Sequence, residues 1–201
     1  MKRIIILSFG LTSILNCLSQ NSESYFKNGN DKFTSGNYRE AIADYTKAIK
    51  INDRQASLYL NRGIAYSALE DYTGAIADFN KAIEIDSKYL LAYYSRATAK
   101  VYLEDYRGSI EDYNIVIKIN PNHTFSYDNR GVAKMELKDY TGAMTDYNKA
   151  IELDPRYSLT YYHRGKLKLK LNQKNSGCLD LSKAGELGYN ESYTEIKKQC
   201  N

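Results

Sequence analysis

The arginines Arg62, Arg96, Arg130 and Arg164 stand thirty-four residues apart, and each is followed by a small residue: Gly63, Ala97, Gly131 and Gly165. A fixed period of ~34 residues constrains a chain more tightly than composition does, because it predicts a helix-turn-helix unit copied along the sequence. One such unit cannot bury its apolar face alone. It stacks on its neighbours, and stacking builds an extended concave wall suited to binding rather than to chemistry.

Setting Gly63 at the eighth position of its unit divides the chain into 22–55, 56–89, 90–123, 124–157 and 158–191, with a terminal segment 192–201 behind them. The fourth position is then Tyr25, Tyr59, Tyr93, Tyr127 and Tyr161. The seventeenth is Tyr38, Tyr72, Tyr106 and Tyr140, and the twenty-fourth is Tyr45, Phe79, Tyr113 and Tyr147. Small residues recur at the eighth, at the twentieth (Ala41, Ala75, Ser109, Ala143, Gly177) and at the twenty-seventh (Ala48, Ala82, Val116, Ala150, Ala184). Small side chains let two helices approach, and large rings fill the adjoining holes. The twenty tyrosines in a chain without tryptophan are therefore read as core. Helix A is expected over about the first fourteen residues of a unit and helix B over about the eighteenth to thirty-first. The fifth unit breaks the pattern at Lys174 and Leu181, as a degenerate, capping unit would.

This pattern resembles the tetratricopeptide repeat (TPR) family across residues 22–191, with tyrosine in place of the family's tryptophan at position four and Pro121 and Pro155 near position thirty-two. The resemblance implies an all-α fold: a right-handed superhelical solenoid of five helix-turn-helix units plus a capping helix over 192–201. It also implies a non-catalytic scaffold that binds a protein or peptide along a concave groove lined by helix A. Carried over position by position, that groove holds Phe26, Asn30, Phe33, Leu60, Ile64, Tyr94, Thr98, Val101, Tyr102, Phe125, Asp128, Val132, Met135, Tyr162, Lys166 and Leu169. Some members of the family grip a terminal carboxylate with lysines, asparagines and an arginine. The comparable places here are Phe26, Asn30, Asn61, Leu91 and Ser95, so the cations are missing. The wall suits an extended or helical peptide with apolar anchors. The alternatives are a stack that closes on itself and a second copy of the chain in the groove, that is, a homo-oligomer.

A second ladder runs beside the tyrosines. Position seven is arginine in units two to five, and position twenty-three is Asp44, Asp78, Asp112, Asp146 and Asp180. These are expected to pair between helices A and B of the same or of neighbouring units, in a geometry that allows bidentate contact; the alternative is two separate solvated rows. Asn37 with Glu40 fits a capping box at the first helix B.

The N-terminus lies outside the repeat. Lys2-Arg3 precedes an apolar stretch from Ile4 to Leu18, the pattern of an export signal over residues 1–19. Cleavage after Ser19 is one outcome. Lipid attachment at Cys17 is another, although Asn16 stands where bacterial lipoproteins carry a small residue. Export places the protein in the periplasm or outside the cell, membrane-anchored if Cys17 is lipidated. There disulfides persist, which brings Cys178 and Cys200 into question as a pair. They lie ten and twelve residues from Gly188, so two antiparallel helices meeting at that glycine bring them level. The alternative is one buried cysteine and one free.

Other classes find little support. The formal charge is only +4 and the charges are interleaved, so no basic tract for nucleic acid is visible. The two histidines, His123 and His163, belong to different units, and the glycines sit at packing positions rather than in a phosphate loop. No catalytic residue, metal or cofactor is expected. Beside the scaffold reading stand two others: a lipid-anchored envelope assembly factor, and a non-catalytic subunit of an enzyme complex.

Overall fold

The structure is a computed structural model and describes residues 20–200. The export signal and Cys17 lie outside the described residues. Within them are eleven helices and no strand. Helix α1 covers 20–34 and pairs with α2, Tyr38–Ile51. The next helix A/helix B pairs are α3 (Ala56–Ala68) with α4 (Tyr72–Ile85), and α5 (Leu90–Tyr102) followed by α6 (Tyr106–Ile119). Then come α7 (Thr124–Glu136) with α8 (Tyr140–Leu153), α9 (Ser158–Lys170) with α10 (Lys174–Glu186), and the short α11 (Glu191–Gln199). These helices fall into two compact units, one ending at Ala99 and one beginning at Lys100.

Each helix A stops for the same reason. The fifteenth residue of every unit has left-handed backbone: Gly36 at φ 78°, Glu70 at 62°, Glu104 at 60°, Lys138 at 64° and Asn172 at 60°. The amide that follows reaches back to close the helix, as Asp71 N–H does on the Tyr66 carbonyl at 3.0 Å and Asp139 N–H on the Lys134 carbonyl at 2.9 Å. The same aspartate then starts helix B. The carboxylates of Asp71, Asp105 and Asp139 accept from the amides of Gly74, Gly108 and Gly142 at 2.9, 3.0 and 2.9 Å. The expected capping box at Asn37 does not form: Asn37 makes no side-chain cap bond. An aspartate three residues before a glycine was the working signal, and unit one lacks it.

The seam between helices A and B is as tight as the small residues suggest. A Cβ placed on Gly63 would lie 2.6 Å from Phe79 Cε1 and 3.2 Å from the Ala75 carbonyl oxygen. Gly29 faces Tyr45 and Gly131 faces Tyr147 at similar distances. The rings at position twenty-four are sealed: Tyr45, Phe79, Tyr113 and Tyr147 are all buried. In the fifth unit Leu181 fills that hole against Gly165 and is equally buried. The aromatic rows of the sequence are thus divided. The twenty-fourth position is core, while Tyr59 at the fourth is buried and Tyr93, Tyr127 and Tyr161 are half-buried.

The Arg–Asp ladder forms. Arg62 grips Asp78 through Nε and Nη2, both at 2.7 Å. Arg130 holds Asp146 at 2.9 and 2.5 Å, and Arg164 holds Asp180 at 2.8 Å twice. The third guanidinium nitrogen turns to the preceding helix B: Arg62 to Thr46 at 3.0 Å, Arg96 to Asn80 at 2.6 Å, Arg130 to Asn114 at 2.5 Å and Arg164 to Asn148 at 2.7 Å. Each of these arginines also lies over the tyrosine three residues earlier, at 5.4–5.8 Å from the ring centre. One planar side chain therefore ties helix A to two helices B, a bidentate geometry lysine cannot copy. Position eleven adds a second cation, with Lys134 2.8 Å from Asp146 and Lys168 2.8 Å from Asp180. Unit one has no arginine at position seven, and there Lys32 and Lys47 serve Asp44 instead.

At the C-terminal end α11 packs on α10, with Ser192 buried. Cys178 and Cys200 are joined by a disulfide, their Cα atoms 5.9 Å apart.

Candidate functional site

In the first compact unit, α1 and α3 enclose a cavity of about 250 Å³ lined by Asn30, Phe33, Thr34, Tyr45, Asn61 and Ile64. Its walls are ring and branched aliphatic carbon. Its polar centre is one atom: Asn30 Oδ1 accepts from the Tyr45 hydroxyl at 2.8 Å and from Asn61 Nδ2 at 3.0 Å. An amide oxygen with two donors is satisfied, and this fixes the orientation of both asparagines. The Asn30 amide nitrogen and the Asn61 amide oxygen remain as a donor and an acceptor on two residues that line the cavity. That is the complement of a peptide group. A second hollow of about 470 Å³, lined by Gln20, Glu23, Ser24, Phe26, Lys27 and Asn30, adjoins the first at Asn30. Phe26 stands at this junction, its ring 6.0 Å from that of Tyr45.

Burial pushes the Tyr45 phenol up to about 12, so it stays a hydrogen-bond donor throughout the physiological range. The sequence placed Tyr45 in the core, and its ring is there. Its hydroxyl emerges on the other side of the core, in the cavity. Asn61 was likewise absent from the expected groove. The signal for Tyr45 was a polar residue at position nine facing a hydroxyl at position twenty-four, a match that unit two replaces with Ile64 and Phe79.

The remaining expected groove residues divide by exposure. In the first compact unit Phe33 and Ile64 line the cavity, and Tyr94 and Thr98 are half-buried. Leu60 is a correction: it is only 3% exposed and belongs to the core cluster with Ala92 and Ala99. In the second compact unit Tyr102 and Phe125 are exposed, and Val101, Val132, Met135, Tyr162 and Leu169 are half-buried. Val132 and Met135 rest against the cluster of Ala143, Tyr147 and Leu167. Asp128 is the second correction. It is fully buried, with both carboxylate oxygens 3.1 Å from His163 Nδ1. At the same repeat position Tyr162 is half-buried.

Lys166 is exposed, its ammonium 5.3 Å from the centre of the Tyr162 ring, and Lys170 is exposed, 5.4 Å from that of Tyr140. Tyr162 in turn packs against Tyr189 at 4.7 Å between ring centres.

Paired helices with a small-against-aromatic seam, repeated at one period and presenting helix A side chains, define a helix-turn-helix repeat scaffold. Family models described as a TPR repeat match residues 29–70 and 131–172, and models described as a tetratricopeptide repeat match 56–89 and 90–123. Together they span more than half of the chain, which belongs to the tetratricopeptide repeat family. Solved structures share the fold. MamA 41-end from Desulfovibrio magneticus RS-1 matches with a TM-score of 0.78 at 18% identity, over 83% of this chain and 94% of that one. YrrB, described as a TPR protein with an unusual peptide-binding site, matches with 0.73 at 20%, over 93% and 97%. The first TPR of Spaghetti (RPAP3), bound to the HSP90 peptide SRMEEVD, matches with 0.59 at 29%, over 60% and 95%.

Proposed function

We propose that this protein is a non-catalytic adaptor that binds a segment of a partner protein on the helix A face and acts outside the cytoplasm. The observation that carries the reading is the cavity between α1 and α3, where an oriented amide pair sits within apolar walls. Pockets that recognise a ligand combine such a lining with a few fixed polar groups. A peptide group docked on Asn30 and Asn61 sets the backbone in register, and an apolar side chain of the same segment enters beside Phe33 and Ile64. Membership of a family with peptide-bound relatives supports the assignment. The Lys2-Arg3 stretch with its apolar run supports export.

Crosslinking in the native host, followed by mass spectrometry, identifies the partner. Ile64→Glu places a charge in the cavity mouth and is expected to abolish capture, and Asn30→Ala to weaken it by roughly tenfold, the effect of losing one or two hydrogen bonds. Circular dichroism on both variants controls for folding. Capture that survives both substitutions moves the site elsewhere. N-terminal sequencing of the mature protein tests export, and fatty-acid labelling that disappears in Cys17→Ser would favour the lipid-anchored alternative.

A further inference from the structure

We propose that the α9 row Tyr162–Lys166–Lys170 is a second, acid-reading subsite, and that its occupant is an extended internal segment of a partner protein carrying two acidic side chains at alternate positions. The inference rests on the protein-binding reading above and adds the chemistry of what is bound.

Five lysines on the helices of the second compact unit hold a carboxylate. Lys100, Lys134 and Lys168 each sit 2.8 Å from a buried aspartate, and Lys149 and Lys183 pair with glutamates three residues on. Lys166 and Lys170 hold no carboxylate among the described residues, yet neither hangs free. Each ammonium lies over a tyrosine ring, Lys166 on Tyr162 and Lys170 on Tyr140. A ring beneath an ammonium restrains a long, flexible stem and leaves the outward N–H groups open to an acceptor. The ordering entropy that weakens most surface ion pairs is thereby reduced before any ligand arrives.

Spacing selects the ligand. Residues four apart on a helix have Cβ atoms about 5–6 Å apart on one face. In an extended chain, alternate side chains share a face and recur every ~6.6–6.8 Å. Two carboxylates separated by one residue are therefore spaced much as the stems of two lysines one helical turn apart, whereas adjacent acids point to opposite faces. Beside the cations, the Tyr162–Tyr189 ring pair offers an apolar shelf for the residue that follows. The cations absent from the family's terminal-carboxylate positions, Phe26, Leu91 and Ser95, mean that a free chain end is not what this chain reads there. The α9 row reads side chains.

The test is selection from random peptide segments displayed internally, without a free chain end, against the native protein and against Lys166→Glu/Lys170→Glu. Both lysines are exposed, so the double variant leaves the core untouched. Enrichment of acid-x-acid segments by the native protein and their loss with the double variant is the expected result. Synthetic peptides with blocked ends then give anisotropy titrations. Acid-x-acid binds about tenfold more tightly than its amide counterpart, a difference that fades with salt and in the double variant. Enriched segments without acidic pairs, or an acidic preference that the double variant keeps, overturn this proposal. Acid-free segments lost with Ile64→Glu overturn it while sparing the adaptor reading. Failure to enrich any segment overturns both.

Discussion

At the residue scale, two tyrosines at the same repeat position differ in how their hydroxyls are paired. Tyr45 donates to Asn30. Tyr147 has Val132 at the corresponding place, and its hydroxyl is buried with no hydrogen-bond partner among the described residues. Burial raises its pKa, and the nearby carboxylates of Asp128, Glu136 and Asp146 raise it further. An unpaired buried hydroxyl carries a desolvation cost that phenylalanine does not. Tyr147→Phe is therefore expected to be neutral or to stabilise by up to about 1 kcal/mol, while Tyr45→Phe costs roughly 0.5–1.5 kcal/mol. Urea denaturation decides, and equal losses at the two sites would mean that Tyr147 has an acceptor after all. The ladder gives the sharper case. Asp146 is almost fully buried and answers both Arg130 and Lys134. Asp146→Asn leaves two partly buried cations short of their counter-charge and is expected to cost about 3 kcal/mol.

At the element scale, the inter-helix turn is a site of avoidable strain. A left-handed residue other than glycine costs about 1–2 kcal/mol, less the ~0.5–1 kcal/mol by which glycine loosens the unfolded chain. Glu70→Gly, Glu104→Gly and Lys138→Gly should each stabilise by roughly 0.5–1 kcal/mol, and Gly36→Ala should do the reverse. A series of melting curves tests this, and no rise in the triple variant would show that the turns are relaxed as they stand. The final helix depends on a different constraint. The Cys178–Cys200 bond closes a sequence separation of 22 residues, and a loop of that size stabilises by roughly 3 kcal/mol. Reduction should add two hydrogens to the intact mass, about 2 Da, and release α11 first, visible as faster amide exchange there than in α10.

At the scale of the whole molecule, repeat arrays are held by neighbour-to-neighbour interfaces, so a lesion is felt locally. The Asp146→Asn change should deprotect α7 to α10 at lower urea than α2 to α4 in hydrogen exchange. Dependence on pH separates into two windows. Burial holds the His123 imidazole below its ordinary 6.5. The folded state then resists protonation, so stability is complete above about 6.5 and declines as pH falls through the depressed value. His123→Gln should remove this part of the decline. Burial of Asp44 acts to raise its pKa, but the ammonium groups of Lys32 and Lys47 outweigh it and hold the carboxyl below 3.8. That contribution is present above 3.8 and is lost only in stronger acid.

What the sequence determined by itself was everything that repeats. The period, the helix pairs, the small-against-aromatic seam and the Arg–Asp ladder all follow from spacings within one unit, and successive copies of each spacing remove the ambiguity a single copy would leave. The tertiary structure alone decided what depends on one particular neighbour. Leu60 and Asp128 share the register of the half-buried Phe26, Tyr94 and Tyr162, yet both are buried. Tyr45 reads as core, yet its hydroxyl crosses between helices to reach Asn30. Lys166 and Lys170 look like ordinary surface lysines until the rings beneath them are located. The reason is physical: repeat phase fixes which face a side chain leaves from, but whether it ends in water, in a cavity or under another residue is set by the size of a partner many residues away.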